Sequence, residues 1–175
     1  MPDDRRILLL RGVNVGANRR LPMADLRAVL TGLGLADVRT HIQSGNAVFR
    51  AGPGDWAGRI SAAIGARVGF TPESLVLTRD AFASVLAANP FAVCDPGTVH
   101  IGFLARPAMV DATGLQALAV PDEQMVLTDA AFYLHAPSGI GRSKLASGAE
   151  RRLGVPMTMR NGRVAAAIAA LAAEE

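Results

Sequence analysis

The stretch Leu9-Leu10-Arg11-Gly12-Val13-Asn14-Val15-Gly16-Ala17-Asn18-Arg19-Arg20 joins an apolar segment to a polar, glycine-containing loop. Residues 7–10 carry no polar side chain, which predicts a strand, over Ile7–Val13, that is covered on both faces. Pro22 suits the first turn of a helix, and apolar residues then recur at helical spacing until Gly34. The stretch therefore predicts a buried strand, a polar loop and an amphipathic helix.

The remainder of the first half predicts a hairpin, a helix, a strand and another helix. Ser44-Gly45 is typical of a tight turn between two short strands, and Asp55 is a suitable N-cap residue. Asn89-Pro90 ends the last helix, because the residue before a proline is disfavoured in helical geometry. The predicted ranges are strands 38–43 and 46–50, a helix after Asp55, strand 74–78 and helix 79–88.

The second half repeats this order of elements with little residue identity to the first. Its hairpin turns at Asp129-Ala130, and Ser143 is the expected N-cap of the helix that follows. The predicted ranges are strand 98–105, helix 107–119, strands 124–128 and 131–136, helix 143–153, strand 156–159 and helix 162–173.

Each half therefore has the order strand, helix, strand, strand, helix, strand, which is that of a ferredoxin-like (βαββαβ) unit. The sequence predicts an α+β fold made by tandem duplication of two such subdomains, each followed by an extra helix and packed as one globule. We expect residues 1–90 to form the first half, 91–97 a connector and 98–175 the second half.

The composition excludes several classes of protein. Cys94 is the only cysteine, so the chain has neither an intramolecular disulfide nor a cysteine-based zinc cluster. The uncharged stretch 81–94 is shorter than the ~20 residues of a membrane span, and the N-terminus does not resemble a signal peptide. The sequence thus predicts a cytoplasmic protein without a membrane partner. The net charge of +3 comes from scattered arginines and neither implies nor excludes a nucleic-acid partner.

Several motifs resemble a bacterial family called domain of unknown function 1697. They are LLRGVNVG at 9–16, PMADL at 22–26, RTHIQSGN at 39–46, NPF at 89–91, YL at 133–134, RSKL at 142–145 and TMRN at 158–161. The resemblance implies a duplicated α+β fold and brings no established reaction, cofactor or partner. His41 stands where members usually have Tyr, and Gly162-Arg163-Val164 where they have Trp-Asn-Thr. Ligand contacts at those positions are expected to differ.

The first candidate ligand site is the loop after the first strand together with the hairpin turn. Glycine and asparagine allow backbone N–H groups to approach an anion before a helix N-terminus, and they equally suit a tight connection. If the first strand and the second strand run parallel, the loop and the turn lie at the same end of the sheet. The residues are Arg11, Gly12, Asn14, Gly16 and Arg19 in the loop, and Gln43, Ser44, Gly45 and Asn46 in the turn.

A second candidate anion site lies at one end of the second half. Gly139 and Gly141 precede Arg142, Ser143 and Lys144 at a predicted helix N-terminus, and the next strand ends at Arg160 and Asn161. The alternative interpretation is a solvated turn before a capped helix. In the predicted topology the strands at 131–136 and 156–159 end side by side, so the loop and the Arg160-Asn161 segment are expected to be neighbours.

The pattern favours a protein that binds an anionic small molecule, or nucleic acid, through these loops. The alternatives are an enzyme acting on a phosphorylated or carboxylated substrate, with Ser143 or Lys144 in the chemistry, and a structural or oligomer-forming protein. The three histidines have no metal-ligand spacing, and no paired carboxylates or catalytic triad can be identified. Neither a metal, a cofactor nor an oligomeric state is therefore assigned from the sequence.

Overall fold

The computed structural model describes residues 4–110 and 112–174. The described residues form an α+β fold with six helices and two four-stranded antiparallel sheets. The elements are β1 (Arg5–Arg11), α1 (Met23–Gly32), β2 (Ala36–His41), β3 (Asn46–Arg50), α2 (Trp56–Val68), β4 (Glu73–Thr78), α3 (Arg79–Ala87), β5 (Val99–Leu104), α4 (Thr113–Gln116), β6 (Gln124–Leu127), β7 (Ala131–His135), α5 (Lys144–Leu153), β8 (Met157–Asn161) and α6 (Gly162–Ala173).

The chain divides into two compact units. The first contains the described residues up to Ala83 and those from Ala167 onward, and the second contains residues 84–166. The predicted boundaries were 1–90, 91–97 and 98–175, so the end of α3 and the end of α6 each belong to a different unit than expected. Long-range bonds explain this difference. The Tyr133 hydroxyl donates to the carbonyl of Val85 at 2.7 Å, and Arg5 Nη1 donates to that of Ala172 at 2.7 Å.

The first sheet has the strand order β2-β3-β1-β4, with β1 in its interior. Leu8 and Leu10 pack on the face that α1 and α2 cover, while Ile7 and Leu9 point to the opposite face. All four side chains are at most 1% exposed, which confirms that this strand is covered on both faces. The strand ends at Arg11 rather than Val13, because Gly12 takes a φ of 67°.

The second sheet has the order β6-β7-β5-β8, with β5 in the interior and wholly buried. Phe132 and Leu134 of β7 pack with Leu145 and Leu153 of α5 in one apolar cluster. Ser143 caps α5 as predicted, since its Oγ accepts a hydrogen bond from the N–H of Ala146 at 2.9 Å.

The hairpin of the first sheet has a longer turn than predicted. Strand β2 ends at His41, and residues 42–45 form the turn in place of Ser44-Gly45 alone. Ile42 has a φ of 48°, which is not a strand conformation. Gly45 is held against β1, because its carbonyl accepts from the N–H of Leu10 at 2.9 Å. A Cβ at Gly45 would lie 2.7 Å from Leu10 Cβ, so only glycine fits there without displacement.

The predicted helix at 107–119 is reduced to α4, a single turn over Thr113–Gln116. Asp111 lies outside the described residues. Met109 is 88% exposed and only Leu115 of α4 is buried, so the apolar residues of this segment do not share one helical face. Gly114 within the turn and the absence of a side-chain cap at Ala112 further weaken a longer helix.

Among the described residues, no helix combines the length and the apolar character that a membrane crossing requires. Nor does the described part of the chain bring three or more His, Cys, Asp or Glu side chains together in a way that could hold a metal ion.

Candidate functional site

The loop that connects β1 to α1 lies against the β2–β3 turn, as the topology predicted. Asn14 Nδ2 donates to the carbonyl of Gln43 at 2.6 Å, and Leu10 N–H donates to that of Gly45. The two polar segments of the first candidate site are therefore neighbours within the first unit.

Asn14 gives the loop its shape. Its φ is 54°, in the left-handed region that asparagine tolerates better than most residues. Its side-chain oxygen accepts from the N–H of Leu21 at 2.9 Å, while its Nδ2 donates to the carbonyl of Leu21 at 2.9 Å. Its own N–H donates to Arg19 O at 2.7 Å. Both polar atoms of the Asn14 side chain are thus bonded within the protein. This side chain therefore closes the loop and is not a ligand-binding group.

A cavity of about 690 Å³, termed the α1 cavity, lies beside this loop. Its walls come from the loop, from the first turns of α1 and from the hairpin turn. The residues that matter for its chemistry are Asn14, Arg20, Met23, Ala24, Arg27 and Gln43.

The first turn of α1 contributes free donors to this cavity. Asp25 N–H and Leu26 N–H both donate to the carbonyl of Pro22, at 3.0 and 3.1 Å. Within the described part of the chain, the N–H groups of Met23 and Ala24 have no hydrogen-bond partner, and Pro22 offers no side-chain cap. Such donors at a helix N-terminus, together with its partial positive charge, favour anions.

The charged groups of the α1 cavity are two guanidinium groups. Arg27 Nη1 donates to Thr40 Oγ1 at 2.8 Å, which holds the side chain beside the cavity. Arg20 is exposed and has no ion-pair partner among the described residues. The nearby carboxylate of Asp25 is paired with Arg67 at 2.6 Å and so is largely neutralised. The balance of charge at the cavity is positive.

Several residues predicted for the first site bind other groups of the protein instead. Arg11 pairs with Glu73 at 2.9 Å, and the Arg19 guanidinium lies 5.3 Å from the centre of the Phe70 ring. Asn46 is fully buried and donates to the carbonyl of His41 at 3.2 Å. Gly12 of the loop and Ser44 of the turn do not line the α1 cavity, whereas Gly16 does.

Arg27 is a charged cavity residue that the sequence interpretation did not include. It lies three residues after Ala24, so the two side chains share one exposed face of α1. A helical projection of residues 23–32 would have placed this cation beside the N-terminal turn. The side of the cavity formed by Met23 carries no polar signal in the sequence.

The second candidate site does not form a single cluster. The register pairs Ile101 with Arg160 and His100 with Asn161, so the side chains of Arg160 and Asn161 point to opposite faces of the sheet. Asn161 Oδ1 accepts from the N–H of Val164 at 2.9 Å, at the start of α6. Arg142 and Lys144 are exposed, and Ser143 is buried as the cap of α5.

Arg160 of the second candidate site has a perturbed pKa. Its guanidinium is withdrawn from water, and this desolvation lowers the pKa of Arg160 to about 10. The side chain remains charged at neutral pH and donates through Nη1 to the carbonyl of Met159 at 2.8 Å.

A cysteine and a histidine also meet in the second unit. Cys94 Sγ lies 4.0 Å from His135 Nδ1, and the rings of Phe91 and His135 are 5.8 Å apart. No local spacing in the sequence could have signalled this pair, because strand β7 brings His135 to the segment after α3 from far along the chain.

Known proteins support this architecture. The fold is similar to that of a solved protein described as "The structure of conserved bacterial protein SP0830 from Streptococcus pneumoniae". The TM-score is 0.75 and the sequence identity is 23%, and the comparison covers 96% of this chain and 98% of that chain. No curated protein matches the chain. At this level of identity the likeness shows the fold alone. The model of the family described as "Protein of unknown function (DUF1697)" matches residues 4–133, so the chain belongs to that family.

Proposed function

We propose that this protein binds an anionic small molecule in the α1 cavity. The observation that carries the proposal is the convergence of Arg20, Arg27 and the free N–H groups of Met23 and Ala24 on one cavity. A phosphate or carboxylate group at that position would accept charge-assisted hydrogen bonds from the guanidinium groups. The amide of Gln43, which also lines the cavity, would orient the rest of the ligand.

The expected affinity is moderate. A hydrogen bond to a charged group contributes roughly 1.5–3 kcal/mol. Three or four such contacts, reduced by the entropy lost on association, correspond to dissociation constants on the order of micromolar to millimolar. The loop is held in place by Asn14, so little of this free energy is spent on ordering it.

The lining of the α1 cavity favours binding over catalysis. Among the residues described at its wall there is no carboxylate, histidine, cysteine or serine that could act as a base or nucleophile. Ser143, which the sequence suggested for chemistry, uses its Oγ to cap α5 in the second unit. An enzymatic function therefore has less support than a binding function.

The test is a calorimetric and thermal-shift titration with inorganic phosphate, phosphate monoesters, nucleotides and dicarboxylates. We expect at least one small anion to raise the melting temperature and to lose tenfold or more in affinity in Arg20→Ala or Arg27→Ala. Arg106→Ala is the matched control, because it removes the same charge from an exposed arginine of the second unit. Equal weakening by all three variants would contradict a dedicated site.

Short DNA and RNA at two salt concentrations complete the panel. Stabilisation by oligonucleotides alone, abolished by salt, would assign the positive surface to nucleic acid. No response to any anion, with the variants unchanged, would leave the structural or oligomer-forming role that the sequence also allowed.

We further propose that the two sheets are a tandem duplication of a ferredoxin-like unit. Their strand orders correspond position by position, and in each sheet the first strand of the unit lies in the interior between the third and the fourth. The main difference is α4, a single turn where the first unit has the ten-residue α1. The cytoplasmic location expected from the sequence stays a prediction.

A further inference from the structure

The outer edge of β4 offers unpaired backbone groups. The bond from Leu10 N–H to Gly45 O shows that even-numbered residues of β1 bond to β3, so its odd-numbered residues bond to β4. The register pairs Ile7 with Leu77, and Leu77 therefore directs its backbone inward. The backbone groups of Val76 and the N–H of Thr78 face outward, away from β1. Within the described part of the chain, nothing accepts from these two N–H groups.

This edge lacks the features that usually protect a strand from pairing with another chain. Its register with β1 is regular over six residue pairs, and residues 74–78 contain neither a charge nor a proline. The opposite edge of the same sheet is different. Strand β2 has an irregular register between Ala36 and Arg39, and Arg39 pairs with Asp37 at 3.1 Å and with Glu174 at 2.9 Å. Of the two edge strands of this sheet, only β2 is therefore protected from pairing with another chain.

A second cavity, of about 320 Å³, adjoins the open edge of β4. Val76 and Thr78 line it together with Pro53, which precedes α2, and Trp56, the first residue of α2. The side chain of Val76 points to the same face as Leu8, its partner on β1, which is the face covered by α2. A strand added at this edge would place the side chain opposite Val76 on that same face, and thus in the cavity.

Trp56 is fixed as a wall of this cavity. Its Nε1 donates to the carbonyl of Gly52 at 2.8 Å, and the Arg59 guanidinium lies 4.2 Å from the centre of its ring. Arg59 has no ion-pair partner among the described residues, and exposed Arg79 is 3.9 Å from its sequence neighbour Asp80. The cavity wall also contains Arg6 and the exposed Asp55, whose Oδ1 accepts from the N–H of Gly58. Three arginines therefore lie around the cavity and at the end of β4, against the two carboxylates of Asp55 and Asp80, which favours a partner with acidic residues.

We propose that this edge and cavity, together the β4 groove, bind an extended peptide segment of another protein by strand addition. The segment would pair with the backbone of Val76 and Thr78, insert one apolar side chain against Trp56 and carry acidic residues toward Arg59 and Arg79. Main-chain hydrogen bonds supply affinity in this mode of recognition, and the side-chain cavity supplies specificity. The α1 cavity shares no lining residue with the β4 groove, so the two proposals are independent.

Amide exchange measured by NMR tests the open edge without any peptide. We expect the amides of Val76 and Thr78 to exchange at least tenfold faster than those of Leu75 and Leu77, which bond to β1. If all four are equally protected in the free protein, the edge is covered and the proposal is wrong.

Selection from a display library of random seven-residue peptides tests the partner. We expect enriched peptides to alternate apolar residues, to carry Asp or Glu, to change the fluorescence of Trp56, the only tryptophan, and to slow exchange at Val76 and Thr78. Val76→Pro removes the outward N–H and leaves the ladder to β1 intact, because proline is tolerated at an outward position of an edge strand. We expect it to weaken binding tenfold or more.

Val76→Ala is the reference variant, since it keeps the N–H and removes the Val76 side chain from the cavity wall, as Val76→Pro also does. We expect Val76→Pro to bind at least tenfold more weakly than Val76→Ala. Circular dichroism of both variants establishes that they fold. Failure to enrich any peptide, or equal binding to a folded Val76→Pro variant, would overturn the proposal. A dimer in sedimentation that Val76→Pro dissociates would assign the edge to a second copy of this chain and would also overturn it.

Discussion

At the scale of single residues, the loop after β1 depends on Asn14. This side chain bonds to both backbone groups of Leu21 and to the carbonyl of Gln43, and its own backbone is left-handed. Asn14→Ala removes the three side-chain hydrogen bonds. It also places alanine, which tolerates a positive φ less well than asparagine, at a φ of 54°. At about 1 kcal/mol per bond, plus about 1 kcal/mol for the backbone, we expect the free energy of unfolding to fall by roughly 2–4 kcal/mol.

Urea denaturation of three variants separates the two causes. Asn14→Gly relieves the backbone while losing the same bonds, so it should be closer to wild type than Asn14→Ala by about 1 kcal/mol. Asn18→Ala, at an exposed position of the same loop, should remain within about 0.5 kcal/mol of wild type. Similar values for Asn14→Ala and Asn18→Ala would show that Asn14 does not organise the loop.

At the scale of secondary-structure elements, Arg5 ties the end of α6 to β1. Its side chain is 4% exposed, and Nη1 donates to the carbonyl of Ala172 in the last turn of the helix and to that of Glu174 just beyond it. Such carbonyls have no partner within a helix, and a cation stabilises them further. Arg5→Met would leave them unpaired in a buried place, and we expect it to cost roughly 2–4 kcal/mol of the free energy of unfolding.

Hydrogen exchange locates this effect. Amides of residues 167–173 should lose protection in Arg5→Met more than amides of α5, which belongs to the other unit. Arg6→Met is a matched substitution at the next position of the same strand. If Arg5→Met and Arg6→Met alter the protection of α6 equally, the cap on this helix is not specific to Arg5.

At the scale of the whole molecule, pH acts through a buried histidine. His100 is 8% exposed within β5, and desolvation lowers its pKa below the usual value of 6.5. The folded state therefore binds fewer protons than the unfolded state just below pH 6.5, so the free energy of unfolding decreases as the pH falls through that region. From about one pH unit above 6.5, both states hold a neutral imidazole and the contribution to the pH slope vanishes.

The measurement is a set of denaturation curves for wild type and His100→Gln between pH 5 and pH 7.5. We expect wild type to lose stability toward pH 5 and His100→Gln to lose less, whatever the difference between the two proteins at pH 7.5. Identical slopes in both proteins would show that His100 does not contribute to the acid sensitivity of this fold.

The candidate site was only partly predictable for a physical reason. The loop and the turn were correctly placed together, because strand direction alone decides which connections share an end of a sheet. Which side chains line the α1 cavity depends on distances that the sequence does not contain. Asn14 and Asn46 have the donors of ligand-binding residues, and the protein itself uses those donors. Arg27, on the exposed face of a helix, supplies a charged donor at the cavity wall.

The sequence by itself determined the elements whose signals are local. Pro22 before α1, Asp55 before α2 and Ser143 before α5 begin their helices as predicted, because caps and first turns involve residues only a few positions apart. Only the tertiary structure decided the length of α4, which side chains line the α1 cavity, the meeting of Cys94 with His135 and the assignment of the end of the last helix to the first unit. Each of these depends on how surfaces far apart in the chain bury one another.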